Sequence, residues 1–417
     1  MKAITLGLRR AAAGRRMPNL IYNFMVPTLP SGLIYTRASV ATDVINGVLT
    51  QFASGQPRIS PYNGYLSEGS RTNSLRNGQA GNSVSGVIGS GGAFPTNWND
   101  INTVGLTREI VDSGTINGFS YVDLRISGTP SAGTYELLFD AATQIAAASG
   151  QIWTGSFYIA LIAGSLTGIT TLASRISGRL AGVETEGTSQ NFVPTIDPTR
   201  VFVTRTLNGG TTDRVISELT AAVTAVPIDA TFRIAACQLE QGFGVTSYIP
   251  TTSAAVTRAA DVLSRTTASI PGYSTTQGSL VVTGKTAPFY HGGVTGQTAI
   301  SLSGSGDFIY LSKFAYASAR LVFRLIKSYA EQAALQYTPA LGLNENFKAS
   351  CAWAHNNIAV SVNGGSPVTG SSMAAVPTGS NIYIGLTDTV FGEHFFGYIK
   401  SMAYYNERKS NAELQVL

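Results

Sequence analysis

Between residues 94 and 248, hydrophobic and polar residues alternate at every second position, the mark of half-buried β-strands. In GFSYVDLRISG (118–128), Tyr121, Asp123 and Arg125 fall on one side and Val122, Leu124 and Ile126 on the other. TYELLFDAA, QIWTGSFYIAL, TRVFVTRTL and ATFRIAACQLE follow the same rule, separated by Gly, Asp and Pro turns. In the last of these, strict alternation puts Phe232, Ile234, Ala236 and Gln238 on one face and Arg233, Ala235, Cys237 and Leu239 on the other. A strand apolar on both faces is expected in the middle of its sheet. A second set of strand-length segments fills 278–417, from GSLVVTGKTA to GYIKSMAYYN, with Asn363-Gly364 as a hairpin signal. The ending RKSNAELQVL predicts a single helical turn capped by Ser410 or Asn411.

The stretch before these strands reads differently. Prolines at 18, 27, 30, 57 and 61 exclude long helices from residues 17–75, which read as extended chain with a short strand or two. The expected organisation is all-β: an extended N-terminal arm over 1–75, an antiparallel β-sandwich over 76–250, a linker over 251–277 and a second antiparallel sandwich over 278–417. QLEQGFGVTSYIPTTSAAVTRAAD (238–261) carries the chain from one sandwich to the other. In it Tyr248 is expected to pack on the first sandwich, and Arg258 with Asp261 to fix the entry to the second.

Composition supports sheets over solvated helices, because only 12% of residues are charged while 45 are glycine. The charge is uneven. Six of the 28 basic residues precede Asp43, the first acid, so the remainder is nearly balanced against 23 acids. Arg9, Arg10, Arg15 and Arg16 make the arm basic and suit it to an acidic protein surface or to nucleic acid, a solvated tail being the plain alternative. No base-reading motif is present, so sequence-specific nucleic-acid binding is not expected. Arg9 and Arg10 interrupt the apolar run a secretory signal needs, and no stretch has the ~20 apolar residues of a membrane helix, so no membrane insertion is expected.

Candidate chemistry is sparse. Cys237 and Cys351 lie in separate apolar runs and read as buried thiols. The three histidines have no metal-ligand spacing, so neither a metal nor a cofactor is expected. Glu184 and Glu186 in GVETEG share a strand face and read as a solvated hairpin. With no nucleophile–base, metal or paired-carboxylate pattern, no catalytic residue is expected. Ligand candidates are Trp98, on a polar loop and expected to be exposed, and Asp388, Glu393 and His394 in TDTVFGEHFFG.

Three blocks carry a resemblance. YTRASVATDVINGVLTQFASGQPRISPYNGYLSEGSRTN (35–73), the stretch 238–261, and FFGYIKSMAYYNERKSNAELQ at the C-terminus resemble, in this order, motifs of phage and prophage virion proteins. Such proteins are of the tail-fibre, tail-spike or head-fibre type. The matched positions include Arg37, Pro57-Arg58, Glu68 and Arg71-Thr72-Asn73; LSEGSRTNSL and Lys409 depart from the family pattern. The resemblance implies a jelly-roll, carbohydrate-binding-module-like sandwich followed by a concanavalin/laminin-G-like one. It also implies a homo-oligomeric virion protein whose partners are other virion proteins and host-surface polysaccharide. A glycan depolymerase is the alternative. Arg37, Arg71 and Arg258, with Glu68 and Asp261 nearby, read as cations that tie loop carbonyls and carboxylates together and pin the arm and linker onto a sandwich.

Overall fold

A computed structural model describes residues 17–141, 143–210, 212–287, 296–313, 320–338 and 340–417. Arg9, Arg10, Arg15 and Arg16 lie outside the described residues. The chain forms two β-sandwiches, and every strand pair but the two-residue contact at Ile88 and Gly92 is antiparallel.

In the first sandwich, Ile228–Gln241 is central, flanked by Phe119–Gly128 and Ile152–Gly164. The facing sheet is built on Arg214–Val223 between Gly133–Leu138 and Ile169–Leu180. The core between them includes Phe139, Phe157, Leu172, Ile176, Leu219, Phe232 and Ile234. Strict alternation fails at one place in the central strand. Ala236 has φ +50°, and Tyr158 pairs with Ala235 while Ser156 pairs with Gln238, so two residues stand opposite Phe157 alone. This β-bulge flips the second half of the strand. Phe232, Ile234, Cys237 and Leu239 therefore share the core, and Gln238 leaves it.

The second sandwich pairs Gln277–Lys285 with Asn346–Ala354 and Gly397–Tyr405 in one sheet. Gln297–Gly304, Asp307–Lys313, Leu321–Lys327 and Ala330–Tyr337 form the other. Asn363 and Gly364 both have positive φ and turn Asn357–Val362 towards Val368–Gly370. The closing helix Asn411–Val416 has Ser410 as N-cap in a capping box with Glu413. Lys409 is buried with its Nζ 4.9 Å from the Tyr405 ring and paired with Glu407 and Glu413.

The arm and the linker are the main corrections. From residue 17 the supposed arm is built into the sheets. Leu20–Asn23 and Gly64–Ser67 both pair with Gly397–Tyr405, Ile34–Thr36 pairs with Val262–Thr266, and Arg71–Asn73 reaches the first sandwich through Glu240. The linker in turn holds Val256–Arg258, paired with Arg71–Asn73, and Val262–Thr266, a strand of the second sandwich. Short strands otherwise left with unpaired backbone groups are satisfied by partners up to several hundred residues away. The hairpin Ala41–Ile45/Val48–Phe52 lies over the bulge, where Val44 and Leu49 pack on Phe119, Ala235, Ala236 and Tyr248.

Candidate functional site

Two sites stand out: an ionic junction between the sandwiches and an aromatic pocket on the second.

The junction grows from the two motif blocks. Gln238 and Glu240 fold the following loop back onto their own strand. Gln238 accepts from the Ile249 N–H at 2.6 Å and Glu240 from the Thr246 N–H at 3.1 Å. Ser247 then donates to Glu68 through its N–H at 2.8 Å and its hydroxyl at 2.6 Å. Glu68 and Asp261 exchange backbone contacts: the Asp261 N–H donates to the Glu68 carbonyl at 3.0 Å and the Glu68 N–H to the Asp261 carboxylate at 2.9 Å. The expected Arg258–Asp261 pair is not made. Arg258 pairs with Glu68 at 2.9 Å, while Asp261 pairs with Arg37 at 3.1 Å and with Arg58. Arg58 also reaches Glu68 at 2.6 Å and the Thr42 carbonyl at 3.0 Å, and its side chain is wholly buried. Tyr35 donates to Asp261.

Burial alone would raise both acids. Arg258, Arg58 and the Ser247 hydrogen bonds outweigh it for Glu68, and Arg58 and Arg258 for Asp261, so both are held below the usual carboxylate range. Asp43 differs: burial pushes it up to about 6 against the pull of Arg58 and of the Tyr398 hydroxyl, which donates to it at 2.8 Å. Arg58 is the hub that reading the residues alone did not single out; its signal was a cation in a Pro-Arg dipeptide.

The pocket arises from period-two alternation. In Asp307–Lys313, Ile309 and Leu311 face the core, which turns Phe308, Tyr310 and Ser312 outward. In Leu321–Lys327, Leu321, Phe323 and Leu325 face the core, which turns Arg324 and Ile326 outward. The loop after Asn381–Ile384 rises beside this face and encloses a cavity of about 400 Å³, within the usual range for small-molecule sites. Phe391 packs edge-on to Phe308 at 5.4 Å, and Tyr329 stands 6.4 Å from Phe308 on another side. Tyr329 and Phe391 are 74% and 55% exposed.

Tyr329 sits in the two-residue turn between Leu321–Lys327 and Ala330–Tyr337, where Ser328 and Tyr329 have φ +49° and +63°. Such a turn favours Asn-Gly, and a bulky residue held there costs about 1–3 kcal/mol. The polar lining comprises the Tyr310 hydroxyl, which accepts from Arg324 at 3.2 Å, Glu393, which accepts from Thr387 at 3.0 Å, and Ser312. The Ser312 Oγ is buried and has no hydrogen-bond partner among the described residues. A buried orphan hydroxyl costs about 1–3 kcal/mol, which a ligand group can recover.

Of the ligand candidates, only Glu393 lines this pocket. Asp388 shapes its loop, accepting from the Val390 and Phe391 N–H groups at 2.9 and 2.7 Å. His394 is buried towards the junction, and burial lowers it to about 4. Trp98, expected to be exposed, is buried in the first core; it packs on Phe139 at 4.9 Å and donates to the Asn77 carbonyl. Its indole N–H is satisfied by a backbone carbonyl 21 residues earlier, so the polar residues beside it in sequence were no sign of solvent. Glu184 stands exposed on the hairpin of Ile169–Leu180 with Val183–Phe192, as expected, whereas Glu186 is half-buried. Glu184 pairs with Arg175, and Glu186 with Arg205 while accepting from the Asn208 and Gly209 N–H groups. Among the described residues no cluster of three or more His, Cys, Asp or Glu is poised for a metal.

No family model matches the chain, and a search of curated proteins finds no match. Solved structures are similar to it only at low identity. One is the SAP-like pentraxin of Limulus polyphemus, at 13% identity and TM-score 0.26 over 33% of this chain and 68% of that one. Another is the CBM22-1–CBM22-2 tandem of Paenibacillus barcinonensis Xyn10C, at 11% and 0.25 over 80% and 99%. A third is mouse laminin α1 LG4-5, at 10% and 0.24 over 64% and 86%. The functional reading therefore rests on the chain's own residues.

Proposed function

We propose that the chain is a non-enzymatic virion protein of a phage that binds glycan in the pocket of its second sandwich. The observation that carries the binding is the aromatic-walled cavity with exposed Tyr329 and Phe391 at its rim and the orphan Ser312 hydroxyl in its wall. Aromatic faces suit the apolar faces of sugar rings, and a few fixed hydroxyl, guanidinium and carboxylate groups suit their hydroxyls. The phage setting, with attachment to other virion proteins as a homo-oligomer, draws on the three sequence blocks. The junction supports it physically, since an ionic lock between sandwiches holds a display module in one orientation.

The test is a glycan array read with the wild type and with Tyr329→Ala/Phe391→Ala. Truncating both rim residues should weaken binding at least about tenfold. Both are exposed, so stability should stay within about 0.5 kcal/mol per residue. Unchanged binding by the double variant refutes the site.

A second reading, glycan hydrolysis, draws on Glu218. It is wholly buried, burial pushes it up to about 7, and Arg179 bridges it at 3.1 Å to Glu136 at 3.6 Å. A carboxyl of that kind can serve as a general acid. Sustained release of reducing ends from host polysaccharide, lost in Glu218→Gln, would favour hydrolysis over display.

A further inference from the structure

The motif arginines part company. Arg37, Arg58 and Arg258 are consumed by carboxylates in the junction. Arg71, from the same motif, is the one arginine among the described residues whose side chain makes neither a hydrogen bond nor an ion pair, and its Nε is buried without a partner. Its guanidinium is nevertheless held. On one side it lies over the Phe396 ring at 5.5 Å. It also packs against Gly242, where an added Cβ would come within 2.7 Å of Cζ. Both supports have unusual backbones: Gly242 has φ +125° and Phe396 has φ +53°. Tyr329 and Phe396 are the only aromatic residues among the described ones with positive φ, and a bulky side chain held there marks a constrained position. A planar cation held against a ring and a backbone, with its hydrogen-bonding capacity unspent, is preorganised for an anion.

Arg71 borders an open groove of about 730 Å³ between the motif strand and the first sandwich. The rest of the lining offers uncharged donors and acceptors, among them Ser70, Thr72, Gln151 and Gln241. Among the described residues no carboxylate lines it. The bordering strands are already paired: Ile152–Gly164 on both sides, and Arg71–Asn73 with both Ile228–Gln241 and Val256–Arg258. The groove therefore presents no free strand edge to a peptide. Hydroxyls and amides around a single forked cation match a sugar that carries an acid.

We propose that this groove binds an acidic saccharide, with Arg71 receiving the carboxylate or sulfate and the surrounding hydroxyls and amides receiving the ring hydroxyls. The site is separate from the aromatic pocket and stands or falls independently of it. Two sites on one chain would let an acidic polysaccharide be held at more than one point, with avidity beyond either site alone.

The test uses the full chain on immobilised uronate-, sialate- and sulfate-bearing glycans beside their carboxyl-reduced and desulfated counterparts, with polyglutamate as the peptide competitor. The wild type should prefer the acidic forms, more so at low salt. Arg71→Gln should abolish that preference, a loss of about tenfold or more in affinity for the acidic forms. Gln241→Glu, at an exposed position, places a competing carboxylate beside Arg71 and should abolish it too, which covers the case in which Arg71→Gln fails to fold. Tyr329→Ala/Phe391→Ala should leave the preference intact. Equal binding of acidic and neutral forms by the wild type, no binding of any acidic glycan, or an undiminished preference in Arg71→Gln or Gln241→Glu overturns the proposal. Polyglutamate competing as well as the acidic sugars also overturns it, in favour of a peptide-docking groove.

Discussion

Replacing Arg58 by alanine strikes the junction at its hub. The side chain is fully buried and bonds to Glu68, Asp261, the Thr42 carbonyl and the Ser247 hydroxyl. Breaking one side of a buried ion pair costs about 3–5 kcal/mol, because the partner charge stays in a low-dielectric site. Here each carboxylate keeps a second cation, Arg258 for Glu68 and Arg37 for Asp261, so the cost should not exceed that range. At about 2–4 °C per kcal/mol for units of this size, the melting temperature should fall by about 6–20 °C. The same change at Arg320, whose one side-chain hydrogen bond among the described residues is an exposed one to Gln336, should cost less than about 0.5 kcal/mol. Urea unfolding followed by tryptophan fluorescence reads the consequence. Trp98 and Trp153 report the first core and Trp353 the second. The wild type should unfold both cores together, and Arg58→Ala should separate their midpoints. A double-mutant cycle with Arg58→Met and Asp261→Asn should give a coupling of about 1–3 kcal/mol. Midpoints that stay coincident, with a loss below about 1 kcal/mol, would refute the idea that this network joins the sandwiches.

Other expectations follow from the same geometry. Asp43 has a folded pKa raised from 3.8 to about 6, so the stability it contributes is intact at low pH and is lost as pH rises through 6. Asp43→Asn, which keeps an acceptor for Tyr398, should gain about 1–3 kcal/mol at neutral pH by denaturant titration; a loss there would show the charge to be stabilising. His394 runs the other way. Its folded pKa is depressed from 6.5 to about 4, so its contribution is present above 6.5 and is lost as pH falls towards 4. The two offset each other between about pH 4 and 6, and Asp43→Asn should expose a steeper acid-side loss, a slope that a series of unfolding curves would show or deny. Tyr248→Phe removes a buried hydroxyl with no partner among the described residues and should be neutral or stabilising by up to about 1 kcal/mol, whereas a loss above 1 kcal/mol would mean that the hydroxyl is bonded.

The long strands were legible because burial on one face and exposure on the other write themselves as alternation, as Val122, Leu124 and Ile126 show. The bulge at Ala236 was not, because a left-handed alanine leaves no mark in composition. The N-terminal segment looked like an arm because its strands are two to five residues long and punctuated by proline, and their partners lie up to 384 residues away, as between Leu20 and Tyr404. Arg37 and Arg258 were legible as pins, Arg71 makes no such pin, and the partners were not legible: neighbours in sequence suggested Arg258–Asp261, whereas Arg37 and Arg58 take that acid. The pocket was half legible. Phe308 and Tyr310 opposite Ile309 and Leu311 already make a strand apolar on both faces, but only the fold brings Tyr329 and Phe391 beside it.

The most direct measurement is a crystal structure of the chain soaked with the tightest ligand from the glycan array. The account predicts a sugar ring against Phe308, Tyr329 and Phe391, with a ring hydroxyl on the Ser312 Oγ. A glycan bound elsewhere while the aromatic pocket holds only water would contradict it.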